Sequence, residues 1–194
     1  MSEEQQQLHR SAQFRRGVEM IRWPHLISDN HVVLHLWCLP EPSVVDPASW
    51  TVYVKGTRRY PFYDYHKTYF LQAVRWHRFD DLDQWRAAAE SAADVPMQDP
   101  TLSLRQTQLD TNEFLAHIAA ARSIAIPIIG VEPSVTASGT SYGLQMPDYF
   151  GYGGYRLIWG ADGPHAWHNL TNWARRLRER FDALLAEASG TESP

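Results

Sequence analysis

At 194 residues the chain is long enough to bury a sizeable core without disulfides or metal staples. Its 44% hydrophobic and 21% charged residues, with a net charge of −4, exclude the strongly basic balance of a dedicated nucleic-acid binder. One cysteine, Cys38, excludes an intramolecular disulfide and fits a reducing compartment.

Residues 1–8 are polar and lack the apolar run of a signal peptide, and the most apolar long window, Ala116 to Val131, is broken by His117, Arg122 and Pro127. A cytoplasmic protein without membrane contact is therefore expected. The charge is uneven. Residues 1–78 hold ten Lys and Arg against seven Asp and Glu, or +3, and residues 79–194 hold eight against fifteen, or −7, which together recover −4. Such a dipolar surface can steer a charged partner. The 8 Trp, 9 Tyr and 7 Phe exceed what a core of this size needs, so some rings are expected on a surface that meets a partner.

In chain order, Leu8, Ala12, Phe14, Val18 and Ile21 are loosely spaced, and residues 1–25 are expected as an N-terminal helix or arm. His31 to Leu39 alternates as a strand, with Val32, Leu34, Leu36 and Cys38 on one face and His31, Val33, His35 and Trp37 on the other. Pro40, Pro42 and Pro47 mark a loop, Trp50 to Lys55 a second strand, and Thr68 to Phe79 a third. Asp80 stands where a helix N-cap is expected, with Leu82, Trp85 and Ala89 as the apolar stripe. Leu102 to Leu109 predicts a strand, and Asp110 caps a helix lined by Phe114, Leu115, Ile118 and Ala119.

Thr136 to Met146 and Gly154 to Trp159 predict two strands joined by a Tyr/Gly-rich loop. Pro164 opens the clearest amphipathic helix, with Trp167, Leu170, Trp173, Ala174, Leu177, Phe181, Leu184 and Leu185 at helical spacing. The expected fold is α+β: a mainly antiparallel sheet of five or six strands with three helices, one domain over 1–194, and a disordered tail over 188–194.

Several stretches carry candidate chemistry. Gly139–Thr140–Ser141–Tyr142–Gly143 matches the G-x-S-x-G of serine hydrolases, but that motif works where a strand turns sharply into a helix, and here both flanks read as strand. His165 and His168 could share one helical face, yet a catalytic zinc needs a third ligand and none declares itself. A small hydrolase using Ser141 or the His165/His168 pair is thus one alternative. His31 and His35 share a strand face about 13 Å apart, too far for one ion. Residues 58–67, with Arg58, Arg59, Tyr60, Phe62, Tyr63, Tyr65, His66 and Lys67, interleave cations with rings, as single-strand binders do, which makes a nucleic-acid module a second alternative. No metal set and no cofactor motif is read.

The most distinctive stretch is Pro147 to Tyr155. Tyr149, Phe150, Tyr152 and Tyr155 offer large contact area with few torsions to freeze, and the glycines let the chain present them. With Arg58, Arg59 and Tyr63 they are the candidate binding residues.

GTSYGL (Gly139–Leu144), YRLIWG (Tyr155–Gly160) and GPHAWHNLTNWARRLRERF (Gly163–Phe181) resemble small uncharacterised bacterial proteins, including immunity-type proteins of polymorphic toxin systems. The resemblance covers the C-terminal third and transfers no active site. It implies a non-enzymatic interaction protein, an immunity or defence-related factor that binds a protein partner such as a cognate toxin.

Overall fold

The computed structural model describes residues 3–23, 31–41, 45–59, 64–90, 99–126, 139–146, 155–161 and 163–190, with backbone alone at 3–10, 57–59, 64–66, 89–90, 155 and 190. Six strands form one antiparallel sheet: β1 (His31–Leu39), β2 (Ala48–Arg59), β3 (Asp64–Trp76), β4 (Leu102–Gln108), β5 (Ser141–Met146) and β6 (Tyr155–Gly160). Their order is β4-β3-β2-β1-β5-β6, a four-strand meander with a hairpin added beside β1. The helices among the described residues are α1 (Glu3–Arg22), α2 (Arg78–Glu90), α3 (Thr111–Arg122) and α4 (His168–Gly190), the last preceded by a 3₁₀ turn at His165–Trp167. This is the α+β class expected, and α1 is the helix that residues 1–25 offered.

The sheet is buried on both faces. On one side Leu34, Leu36, Trp50, Val52, Leu71 and Leu144 pack under Phe114 and Ile118 of α3 and the apolar stripe of α4. On the other, Trp37, Val74 and Trp76 pack under Ile21 of α1 and Trp85 of α2. Strand alternation divides these two clusters. The surplus of large rings is spent here: Trp37, Trp50, Trp76, Trp85, Trp159 and Trp173 are all buried.

Several local expectations are corrected by the packing. A bulge between Val32 and Leu34 shifts the β1–β2 register, and Val33 packs with the α4-side core. His31 is therefore paired with Val54 and His35 with Thr51, on opposite faces. β3 ends at Trp76 and α2 begins at Arg78, so Asp80 lies inside the first turn and is not the cap. Asp81 is instead buried, its Oδ2 accepting from Trp76 Nε1 at 2.7 Å and from Thr101 N at 2.8 Å. In α3 the buried residues are Phe114 and Ile118, while Leu115 is 45% exposed and Ala119 is exposed. Pro164 is extended (φ −64, ψ 137) before the 3₁₀ turn, and α4 runs on to Gly190, through the start of the expected tail.

Asp110 caps α3 as expected, accepting from Glu113 N at 2.8 Å. The Glu113 carboxylate does not close the box. It takes Arg180 of α4 in two hydrogen bonds, from Nε at 2.6 Å and from Nη2 at 3.1 Å. Trp173 Nε1 donates to the His117 carbonyl at 3.1 Å. α3 is thereby fixed along one flank of α4. At one end of the sheet the buried Arg78 donates to the carbonyls of Pro40, Glu41 and Val45, holding the β1–β2 connection against the start of α2. Burial pushes its guanidinium below the usual value.

Candidate functional site

The register lines up side chains in rows across the sheet. On the α4 face one row reads Trp159, Tyr142, Cys38, Ala48, Arg75 and Ser103, and the next reads Leu157, Leu144, Leu36, Trp50, Ala73 and Arg105. α4 covers the second row. Leu170, Trp173, Leu177 and Phe181 face the core, whereas Thr171, Arg175, Arg178 and Asp182, at i, i+4, i+7 and i+11, form a stripe on the flank away from α3.

Between this stripe and the sheet lies a cleft of about 340 Å³ lined by Tyr142, Trp159, Trp50, His168, Arg175 and Arg178, among others. Small-molecule and side-chain recognition sites are commonly of this size. Arg178 is its centre. Its guanidinium carbon lies 5.9 Å from the Trp50 ring and 5.4 Å from the Tyr142 ring. Tyr142 in turn stacks on Trp159 at 6.2 Å. Arg175 is paired with Glu179 at 3.2 Å, but Arg178 has no carboxylate within ion-pair distance among the described residues. Trp50 is fixed by donating from Nε1 to Asp182 at 2.8 Å.

Cys38 sits beneath this cluster, with side-chain hydrogen bonds to Tyr142 and Arg178. Burial pushes its thiol up, and this outweighs the pull of Arg178, so the sulfur is a neutral, half-buried group rather than a thiolate nucleophile. The cleft therefore offers a cation spread over aromatic faces. That chemistry suits a planar anionic group, a carboxylate above all.

The residues singled out from the sequence fall elsewhere. Ser141 begins β5, opposite Leu39 and Gly160, so the G-x-S-x-G segment enters a strand and not a strand-to-helix turn. Gly143 is required for another reason: a Cβ there would land on the Trp37 indole, whose ring lies across β5. His165 and His168 are exposed around the 3₁₀ turn, and only His168 reaches the cleft. Among the described residues no three His, Cys, Asp or Glu gather as a metal set.

Arg58 and Arg59 end β2, paired through the backbone with Tyr65 and Asp64. They are eight and nine residues beyond Trp50, about 27–30 Å along the strand. Tyr155 begins β6 opposite Met146. Tyr63, Tyr149, Phe150 and Tyr152 lie outside the described residues. The strand ends flanking both stretches leave the sheet at the end opposite the cleft, since Met146 is level with Val52 while Tyr142 is level with Ala48. Sequence reasoning missed the cleft because its residues come from four strands and a helix. Only Arg178, on the polar side of a clear apolar stripe, carried a local signal.

On the opposite face, His35 is 1% exposed, with Nδ1 2.8 Å from Thr51 Oγ1. Its Nε2 faces the Ile21 and Arg22 carbonyls at the end of α1 without closing a well-aligned hydrogen bond. Burial lowers its pKa from 6.5 to about 4, against the pull of those carbonyls, and Arg156 adds to the lowering. His35 is thus a neutral buried brace between α1 and the sheet, not a general base at neutral pH.

No helix among the described residues is long and apolar enough to cross a membrane. Comparison of the chain with protein-family models, with curated proteins and with solved structures finds no match.

Proposed function

We propose that this chain is a bacterial interaction protein of the immunity type, which acts by holding a protein partner, and that the α4 cleft is where the partner is held. The observation that carries this reading is Arg178. An arginine laid over two aromatic faces, at the mouth of an open cleft and with no carboxylate partner among the described residues, has the make-up of an interface anchor awaiting its counter-charge. The surrounding rings exclude water and so raise the worth of an incoming carboxylate.

The test is complex formation with a toxin encoded beside this chain, followed by size exclusion and titration calorimetry. Arg178→Ala should weaken the complex by about 2 kcal/mol, as a central arginine anchor does. It should cost the free protein about 0.5–1 kcal/mol, the worth of a partly exposed cation held over the Trp50 and Tyr142 rings. Failure to form any complex, with the toxin equally lethal in its presence, would end the immunity reading.

A further inference from the structure

A second cleft, of about 350 Å³, lies beyond Trp50 on the same flank of α4. It is lined by Ala48, Ala73, Arg75, Ser103 and Arg105 from the sheet and by Asp182 and Leu185 from the helix. The two clefts share Trp50 and lie along the same two rows of side chains. Flanking Trp50, they are taken together as one trough, with Arg175 and Arg178 of α4 lining the first part and Asp182 the second. Ala48, a small residue of the outer row, lines the second part beside Trp50. α3 lies on the other flank of α4 and, among the described residues, does not cover the trough.

Charge is distributed unevenly along it. Arg178 marks one part. Arg75 and Arg105, both exposed and without a carboxylate partner among the described residues, mark the other. Asp182 stands between them, its carboxylate taken by the Trp50 indole. We propose that the trough seats an extended, acidic segment of a partner protein, with one carboxylate on Arg178 and a second on Arg75 and Arg105.

The register sets the spacing. Arg178 lies over Cys38 of β1, two strands from Arg75 and three from Arg105. At about 4.8 Å per strand this is roughly 10–14 Å, which an extended peptide covers in about three to four residues. The segment needs a neutral residue between its acids, because a carboxylate there would meet Asp182. That requirement favours a peptide over single-stranded nucleic acid, whose phosphates recur at every nucleotide and would face Asp182 regardless of sequence. The strand ends, not a strand edge, line the trough, so recognition runs through side chains and not through an added strand.

This inference rests on the reading of the chain as a partner-binding protein, and its test is separable from that reading. Random displayed peptides of about twelve residues are selected on the full chain, and the enriched ones are labelled for fluorescence anisotropy. Enriched peptides should carry two acidic residues three to five positions apart. Arg75→Glu/Arg105→Glu, both at exposed positions that leave the far-ultraviolet circular dichroism unchanged, should weaken them about tenfold or more. Replacing the second acid by lysine should restore binding to that variant alone. Enriched peptides without acids, no enrichment at all, or equal binding to the charge-reversed variant would overturn the proposal. So would an oligothymidylate of about twelve nucleotides that binds more tightly than the peptides and loses affinity on the same reversal, which would make the trough a nucleic-acid surface. A toxin complex that forms normally with the reversed variant would remove the trough from recognition and leave the interaction reading intact.

Discussion

Gly143 offers the sharpest test of how the sheet is packed. It faces Trp37 across the β1–β5 pair, and a Cβ at Gly143 would fall on Cε2, Cζ2 and Nε1 of that indole. Trp37 is 2% exposed, has Arg22 over its ring at 5.1 Å, and packs with Ile21, Val74 and Trp76. The ring is buried among these side chains, so Gly143→Ala should cost about 3 kcal/mol, the upper end of ordinary overpacking. Trp37→Ala alone should cost about 3–5 kcal/mol as a large buried ring lost. The two costs should not add. With the indole gone, Gly143→Ala meets open space and gains slightly from a side chain in a strand, so its cost there should fall below about 1 kcal/mol. Urea unfolding of the four proteins, followed by far-ultraviolet circular dichroism, gives the cycle directly. A coupling of about 2–3 kcal/mol is expected for residues in direct contact. Additive costs would mean that the ring does not lie over Gly143 and that the glycine serves some other need, the turn of a nucleophile elbow included.

Three further outcomes follow from the same structure. Acid should destabilise the protein through His35: the unfolded side chain takes up a proton near 6.5 and the native one only near 4, so stability is full above pH 6.5 and falls by about 3 kcal/mol as pH drops to 4. Urea midpoints between pH 7 and 4 should show this slope in the native protein and lack it in His35→Leu; equal slopes would refute it. The loss from Glu113, whose carboxyl Arg180 holds below its usual value, begins only as pH falls below about 5, so the slope between pH 7 and about 5 belongs to His35. Trp173→Ala should lower stability by about 3–5 kcal/mol, because the ring is buried and caps the His117 carbonyl; calorimetric unfolding showing less than about 1 kcal/mol would place it outside the core. Ser141→Ala should leave partner binding and stability within about 0.5 kcal/mol; labelling of Ser141 by a serine-directed fluorophosphonate would revive the hydrolase alternative.

Those parts of the fold that rest on short-range periodicity were legible in the sequence. HVVLHLWCL alternates and is β1, LSLRQTQ alternates and is β4, and the 3–4 spacing from Leu170 to Leu185 is the buried stripe of α4. Asp110 was legible because an N-cap is a contact within one turn. What failed had a cause further along the chain. Val33 turns inward because β1 bulges against β2, and no alternation rule signals a bulge. Leu115 and Ala119 continue the helical apolar pattern of α3 yet lie outside, since α4 covers only the face of Phe114 and Ile118. Asp80 looked like a cap because it precedes an apolar stripe, but the buried demands of Trp76 Nε1 and Thr101 N recruit Asp81 and start the helix earlier.

The trough was hidden for the same reason at a larger scale. Arg75 lies in a stretch that reads as one more alternating strand, and Arg105 in a weakly patterned edge strand. Nothing near either residue in the sequence connects it to Arg178. The connection is made by the strand order β4-β3-β2-β1-β5-β6, which carries one row of side chains from Tyr142 through Cys38 and Ala48 to Arg75, and by α4 crossing above it. Aromatic composition pointed to a sticky surface, and Tyr/Gly-rich chain between β5 and β6 was the natural place to look. In the described structure most of the tryptophan is spent inside, on two cores that grip the sheet from both sides. Among the described residues Arg178 rests against Trp50 and Tyr142 with no counter-charge, the condition under which its charge would be available to the partner proposed above.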